Sequence, residues 1–394
     1  MKTKLVIFGI TGDLSRRKLL PALADIIRSG EHEDVSIIGV SRRAIDVSEL
    51  LSSAGVAREL ADRTSIATID LADPEGYRQL KSALDLRDDD QALLYLSVPP
   101  GAAGQIVEFL GEAGFGAMNV KLLFEKPFGF DLESAREFSA QAAQYFKEEQ
   151  LYRIDHYMAK EVAQELIRLR SDADGRHHHW DNQSVSAIEV IASESIGIED
   201  RAAFYEQTGA LRDVVQGHLM QLLALVLMTP DTFTLEDVPL YRRAALQSLQ
   251  SADPMIATRA QYDGYQQEVE NIGSKVETFV SLKLKSDDPR WVGVPITLIT
   301  GKNLAAKQTA IHIHYKDGSQ DIFEEGKVTS GGRALTAYER VLVEAIKGQK
   351  AIFTTSPEVL ESWRVLQSLQ EAWAMDVVPL KTYQPGATIE DILK

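Results

Sequence analysis

Within nine residues, RIDHYMAKE (153–161), the chain sets out an aspartate, a histidine, a tyrosine and a lysine just before a run of helical period, VAQELIRLR. So many titratable groups at one helix entrance are either an ordinary charged helix start or a site. Proton abstraction from a hydroxyl near pH 7 calls for a base that is neutral there, and histidine is the usual choice. Of the eight histidines, His177, His178 and His179 fall in the polar stretch SDADGRHHHWDN and read as an exposed loop. His312 and His314 alternate on a strand and share one of its faces, and His32 sits in the acidic stretch GEHEDVS as a solvated loop residue. His156 and His218 remain. His218 lies in LRDVVQGHLMQLLALVLM, a helix apolar enough to be buried, where a lone histidine is ordinarily a satisfied core residue. Asp213 in the same segment and Asp155 in the opening motif offer carboxylates to pair with it. Spacing alone does not bring Asp155 and His218 together.

A second constellation stands at the start of the chain. FGITGDLSRRKLLPAL follows an apolar strand and opens a helix, so Gly9 and Gly12 let the backbone approach a pyrophosphate at a helix N-terminus. The spacing is not GxGxxG, and a strand-to-helix turn without a ligand is an equally open reading of the pattern alone. The end of the second strand adds to it. IIGV runs into Ser41-Arg42-Arg43 with no acid, and an arginine rather than a carboxylate there suits a 2′-phosphate, which favours NADP over NAD.

These residues need elements to hold them. The first half alternates strand-like runs (KLVIFGI, VSIIGVS, SIATIDL, ALLYLSV, VKLLFEK) with helical patterns (LLPALADIIRSG, VSELLSSAGVARELAD, PEGYRQLKSALDL, GAAGQIVEFLGEAG). That alternation predicts βαβ units and a doubly wound parallel sheet over residues 1–150. After about residue 150 the strands SVSAIEVIAS, KVETFVSLKLKS, PITLITG and AIHIHYKDGSQDIF are no longer regularly followed by helices, and the last reads as a hairpin around Asp317-Gly318. An α+β domain with a large, mainly antiparallel sheet is expected over 151–394.

Composition narrows the function classes. A length of 394 residues allows two or three domains, and a formal net charge of −16 argues against non-specific nucleic-acid binding. The absence of cysteine rules out disulfides, thiolate zinc sites and a cysteine nucleophile, and no metal-ligating set is read from the residues. MKTKLVIFGITGDL has too short an apolar run for a signal peptide, and no apolar stretch approaches a membrane span. An intracellular, cytoplasmic chain with no membrane partner is expected.

Taken together, GITGDLSRRKLLPAL, EKPFG, RIDHYMAKE, LRDVVQGHLMQ and RWVGVPITLITGKNLAAKQT resemble the ordered signature set of the glucose-6-phosphate dehydrogenase family, and RAQYDGYQQE, KVETFV and AYERVLVEAIKG add to the likeness. The resemblance implies NADP-dependent oxidation of a sugar phosphate at C1, with NAD as a possible second cofactor. By it, His218 is the general base and Asp155 the carboxylate that orients it. His156, Tyr157, Lys160 and Lys307 bind the phosphate. Lys126 positions the sugar beside the cofactor, with a cis Lys126–Pro127 bond. Glu194 and Asp213 accept hydrogen bonds from sugar hydroxyls, and Lys302 lies near the substrate. Gly9, Thr11, Gly12, Asp13 and Leu14 form the cofactor turn, Lys18 lies near it, and Arg42 reads the 2′-phosphate. The resemblance also implies a homodimer. The chain is shorter than the family norm, mostly after Lys302, which leaves two other readings open: the same chemistry on another aldose 6-phosphate, or a non-catalytic NADP-binding regulatory homologue.

Overall fold

The computed structural model describes residues 2–32, 34–172, 174–175, 177–229, 234–327 and 335–394. They fall into two compact units. The first comprises Met1–Phe128, Arg136–Ala159 and Arg333–Ser356; the second comprises Gly129–Ala135, Lys160–Gly332 and Pro357–Lys394.

The first unit is built on a seven-stranded sheet. Its strands are β1 (Thr3–Phe8), β2 (Val35–Ser41), β3 (Thr64–Thr68), β4 (Gln91–Leu96), β5 (Val120–Phe124), β6 (Leu151–Ile154) and, at the edge beyond β6, β13 (Phe353–Thr354). β1 to β6 are parallel in the order 3-2-1-4-5-6, and β13 is antiparallel to β6. This is the doubly wound order of dinucleotide-binding folds. A sheet covered on both faces needs strands that are apolar on both sides. Val6, Ile7 and Phe8 of β1 and Leu93, Leu94 and Tyr95 of β4 are accordingly fully buried.

The helices of this unit form where the sequence pattern places them, with one exception. VSELLSSAGVARELAD makes two helices, Val47–Ser53 and Ala57–Leu60, because Gly55 takes a φ of 72° between them. A left-handed residue ends a helix, and glycine adopts that conformation without steric cost.

The second unit carries another seven-stranded sheet, in the order β12-β11-β7-β10-β9-β8-β14. Its strands are β7 (Val185–Ser193), β8 (Thr258–Tyr262), β9 (Phe279–Leu284), β10 (Ile296–Gly301), β11 (Gln308–Tyr315), β12 (Gln320–Glu324) and β14 (Leu380–Tyr383). The pairs β7–β10 and β8–β14 are parallel and the other four antiparallel. β11 and β12 form the hairpin expected around Asp317-Gly318, with Gly318 at a φ of 86°.

Two expectations are corrected here. The helical run Glu199–Leu227 is 29 residues and, by length and composition alone, apolar enough to cross a membrane, although 78% of its apolar window is buried inside the protein. Its last part, Met220–Leu227, holds no charged residue and is buried at every position, as in a core helix. Among the three consecutive histidines only His179 is exposed. His178 is buried, its Nδ1 2.8 Å from the Arg170 carbonyl oxygen, and His177 packs its ring edge against Trp180. The buried Arg170 guanidinium organises this corner: it lies 5.4 Å from the Trp180 ring and donates to the carbonyls of His177, His178 and Met228.

Candidate active site

The glycine turn lies where strand order reverses, between β1 and β4, which in open α/β sheets is where ligands bind. Gly9 has a φ of 79°, and a Cβ there would stand 2.2 Å from the Ser97 carbonyl oxygen at the end of β4. Only glycine fits. The Gly12 amide donates to the Gly9 carbonyl at 2.9 Å, and Ser15 Oγ bonds both that carbonyl (3.0 Å) and Ser97 Oγ (3.1 Å). Thr11, Asp13 and Lys18 are exposed, and Gly12 and Leu14 half-buried, around the first turn of the following helix, which is wound in the wider π form over Ser15–Leu19. Arg42 and Arg43 are exposed just past the end of β2, beside β1 in the sheet. A cradle closed to any side chain, a helix start and two exposed arginines at the end of the second strand suit a phosphorylated dinucleotide.

Lys126 follows β5, and the Lys126–Pro127 peptide is cis. Its neighbour Glu125 is a residue the sequence reading passes over, although EKPFG contains it. Glu125 accepts a hydrogen bond from the buried Tyr95 hydroxyl. Burial pushes its carboxyl up to about 7; the Tyr95 bond and the Lys126 charge act against this rise, and Asp155 adds to it. Asp155 itself is buried just beyond β6, where its Oδ1 accepts from the Tyr157 amide at 2.9 Å. His156 and Tyr157 are half-buried, their rings edge to face at 5.1 Å.

The second unit carries the other predicted residues. Lys160 caps the helix Glu161–Ser171, which is the run anticipated after RIDHYMAKE. Gly209 takes a φ of 59° and a ψ of −177°, reachable essentially by glycine alone, and a Cβ on it would stand 2.5 Å from Glu277 Oε1. Glu277 occupies that space with purpose: its Oε1 accepts the Leu211 amide at 2.9 Å, the first donor of the next helical segment. Leu211–Leu219 is π-helical. In an α-helix a residue five places on lies roughly 140° round the axis; closing the turn through i→i+5 bonds returns it toward the same side. Asp213 and the buried His218 are five apart and come to one side by this winding.

Glu194 and Lys302, 108 residues apart, are brought together as an ion pair where β7 and β10 end side by side. The buried Lys302 ammonium also stands 5.3 Å from the Tyr205 ring. Burial and the nearby Asp213 charge keep the Tyr205 hydroxyl far above its ordinary pKa. Tyr205 is a residue that no spacing in the sequence reveals. Lys307 is exposed just before β11.

A sheet of this order with its glycine turn at the reversal point defines a dinucleotide-binding fold, and the comparisons with known proteins are more specific. Residues 6–165 match the family model for the glucose-6-phosphate dehydrogenase NAD binding domain, and residues 169–335 and 327–390 match that for the glucose-6-phosphate dehydrogenase C-terminal domain. Glucose-6-phosphate 1-dehydrogenase of Dickeya dadantii (strain 3937) is 31% identical over 97% of this chain and 93% of its own length. The crystal structure of glucose-6-phosphate 1-dehydrogenase from Mycobacterium avium superposes with a TM-score of 0.86 at 32% identity, covering 98% of this chain and 94% of the other. A glucose-6-phosphate dehydrogenase in complex with its substrate glucose-6-phosphate superposes at 0.90 with 26% identity, covering 100% and 97%. The chain belongs to the glucose-6-phosphate dehydrogenase family. It is an oxidoreductase acting on a CH–OH group, and NADP is the cofactor consistent with its family and its first turn. The alignment with the Dickeya protein runs to 459 positions, more than the chain's 394 residues, so the relative carries residues inside the matched span that this chain lacks.

Proposed function

We propose that this chain oxidises glucose 6-phosphate at C1 with NADP, giving the 6-phosphogluconolactone. When bound, the nicotinamide supplies a hydride acceptor at C4. His218 takes the proton of the C1 hydroxyl as the C1 hydride departs, and Asp155 orients the imidazole and stabilises its charged form. Glu194 and Asp213 accept hydrogen bonds from the ring hydroxyls, with Lys302 paired to Glu194. His156, Tyr157, Lys160 and Lys307 bind the phosphate, and Lys126 positions the sugar. The phosphate is remote from C1, so its binding energy serves to hold the reacting carbon in place. A few placed cations also let a strongly acidic chain take an anionic substrate.

The observation that carries this reading is the buried His218 on a π-wound turn with Asp213, in a chain matched nearly end to end by glucose-6-phosphate dehydrogenases. The site roles, a homodimeric assembly and a cytoplasmic location follow from the same family reading. A second reading, another aldose 6-phosphate as the preferred substrate, draws support from the residues missing relative to the Dickeya protein. The test is NADPH formation by purified protein against a panel of sugars and sugar phosphates. Turnover with glucose 6-phosphate above all others is the expected result, and no turnover with any aldose 6-phosphate would remove the proposal. His218→Asn is expected to lower kcat by about 10³-fold or more with little change in substrate binding. Near-normal turnover would remove His218 as the base.

A further inference from the structure

The histidines that the catalytic reading leaves unused include His312 and His314, and the second sheet gives them a common partner. β11 runs antiparallel to β7 with His312 directly opposite Glu189 and His314 opposite Ala187. Residues two apart on a strand share a face, and directly opposed residues on one face lie about 5 Å apart at Cβ. All three polar side chains therefore project from one side of the sheet, beside a small alanine that leaves them room. Glu189 Oε2 stands 3.7 Å from His312 Nδ1 and 3.3 Å from His314 Nε2. One ligand atom from each of the three residues lies within 4.8 Å of the others.

We propose that Glu189, His312 and His314 bind a divalent first-row transition-metal ion. A tetrahedral ion with bonds of about 2.1 Å spaces its ligand atoms about 3.4 Å apart. The two separations about Glu189 Oε2 bracket that figure. Two imidazoles and a carboxylate with no thiolate form a set suited to zinc, cobalt, nickel or copper more than to magnesium or calcium. The side chains are 19%, 35% and 37% exposed for His312, His314 and Glu189, which gives an ion an entry path and leaves coordination positions open to water. His312 Nε2 is buried with no hydrogen-bond partner among the described residues, so no bond on that nitrogen fixes the ring's tautomer. Outer-shell support is thus thin, and affinity is expected in the micromolar range rather than the nanomolar range of a structural zinc centre.

The site is tested with zinc chloride alone, titrated calorimetrically into the EDTA-stripped full chain at pH 7.5. The quantity read is the difference between the parent protein and the His312→Gln/His314→Gln double variant, whose fold is checked by circular dichroism. The parent is expected to bind one more ion per chain than the double variant. Glu189→Gln, a milder change, is expected to weaken that event at least tenfold. His179→Gln, on the exposed member of the histidine run, is expected to leave it unchanged. Equal stoichiometry and affinity in parent and double variant, or no binding by either, would overturn the proposal.

Discussion

The Lys302 ammonium is paired with the Glu194 carboxylate and lies over the Tyr205 ring, so one buried cation joins the ends of two strands and the core helix. Glu194 is the more exposed partner, 35% against 3%. Glu194→Gln therefore strands a buried charge, and breaking such a pair costs more than deleting it. With the partial exposure discounted, a loss of about 2 kcal/mol is expected in urea unfolding. Lys302→Met added to Glu194→Gln should recover part of that loss. Strict additivity of the two variants would show that the pair is not energetically coupled.

Gly209→Ala is expected to be far more damaging than its size suggests. The new methyl group would enter both a forbidden backbone region and the space of Glu277, whose carboxylate holds the Leu211 amide. We expect a destabilisation of about 3 kcal/mol, together with a fall in kcat, because the π-wound turn carrying His218 starts at that amide. A variant with parental melting temperature and parental turnover would refute this.

Arg42→Ala is expected to raise the KM for NADP by about 10-fold or more, corresponding to one lost charge-assisted contact, while changing that for NAD little. Steady-state kinetics with both cofactors measures the ratio. Equal losses for the two would mean that Arg42 does not read the 2′-phosphate.

Glu125 predicts a pH dependence of stability. Burial raises its carboxyl to about 7 in the folded protein, against an ordinary value of 4.5. Between these values the folded chain holds a proton that the unfolded chain has released, so this contribution is fully present below about pH 4.5 and is lost as the pH rises to 7. The change amounts to about 2–3 kcal/mol. Glu125→Gln, which cannot ionise, should lose this slope in urea unfolding measured from pH 5 to 8. Parallel slopes in parent and variant would rule the assignment out.

The parallel sheet was legible because its central strands are apolar on both faces, as the runs LVIF and ALLYL are. Periodicity does not single out β6, β8, β13 or β14: β13 has two residues, and β14 has Lys381 and Thr382 exposed at a sheet edge, so neither carries an alternation long enough to register. The candidate site residues were legible as motifs, but their interactions were not. Lys302 and Glu194 meet only because β7 and β10 pair in parallel, a contact no local pattern encodes. His178 is buried through Arg170, a charged residue that sequence reasoning places in water until three carbonyls and an indole are found around it.

The edge strand β13 belongs to the segment Arg333–Ser356, which returns to the first unit after the whole second sheet but for β14 has been laid down. The returning segment is tightly stitched in. Ser356 and Arg153 share the Glu148 carboxylate, the Lys350 ammonium donates to the Glu148 and Leu151 carbonyls, and Gln91 and Lys121 donate to the Ile346 carbonyl. During synthesis on a ribosome the Glu148 and Leu151 carbonyls and the Gln91 and Lys121 side chains emerge 199 to 255 residues ahead of these late partners. The dinucleotide unit therefore cannot reach its final stability vectorially, as its N-terminal position would suggest. Its completion is tied to the appearance of nearly the entire chain.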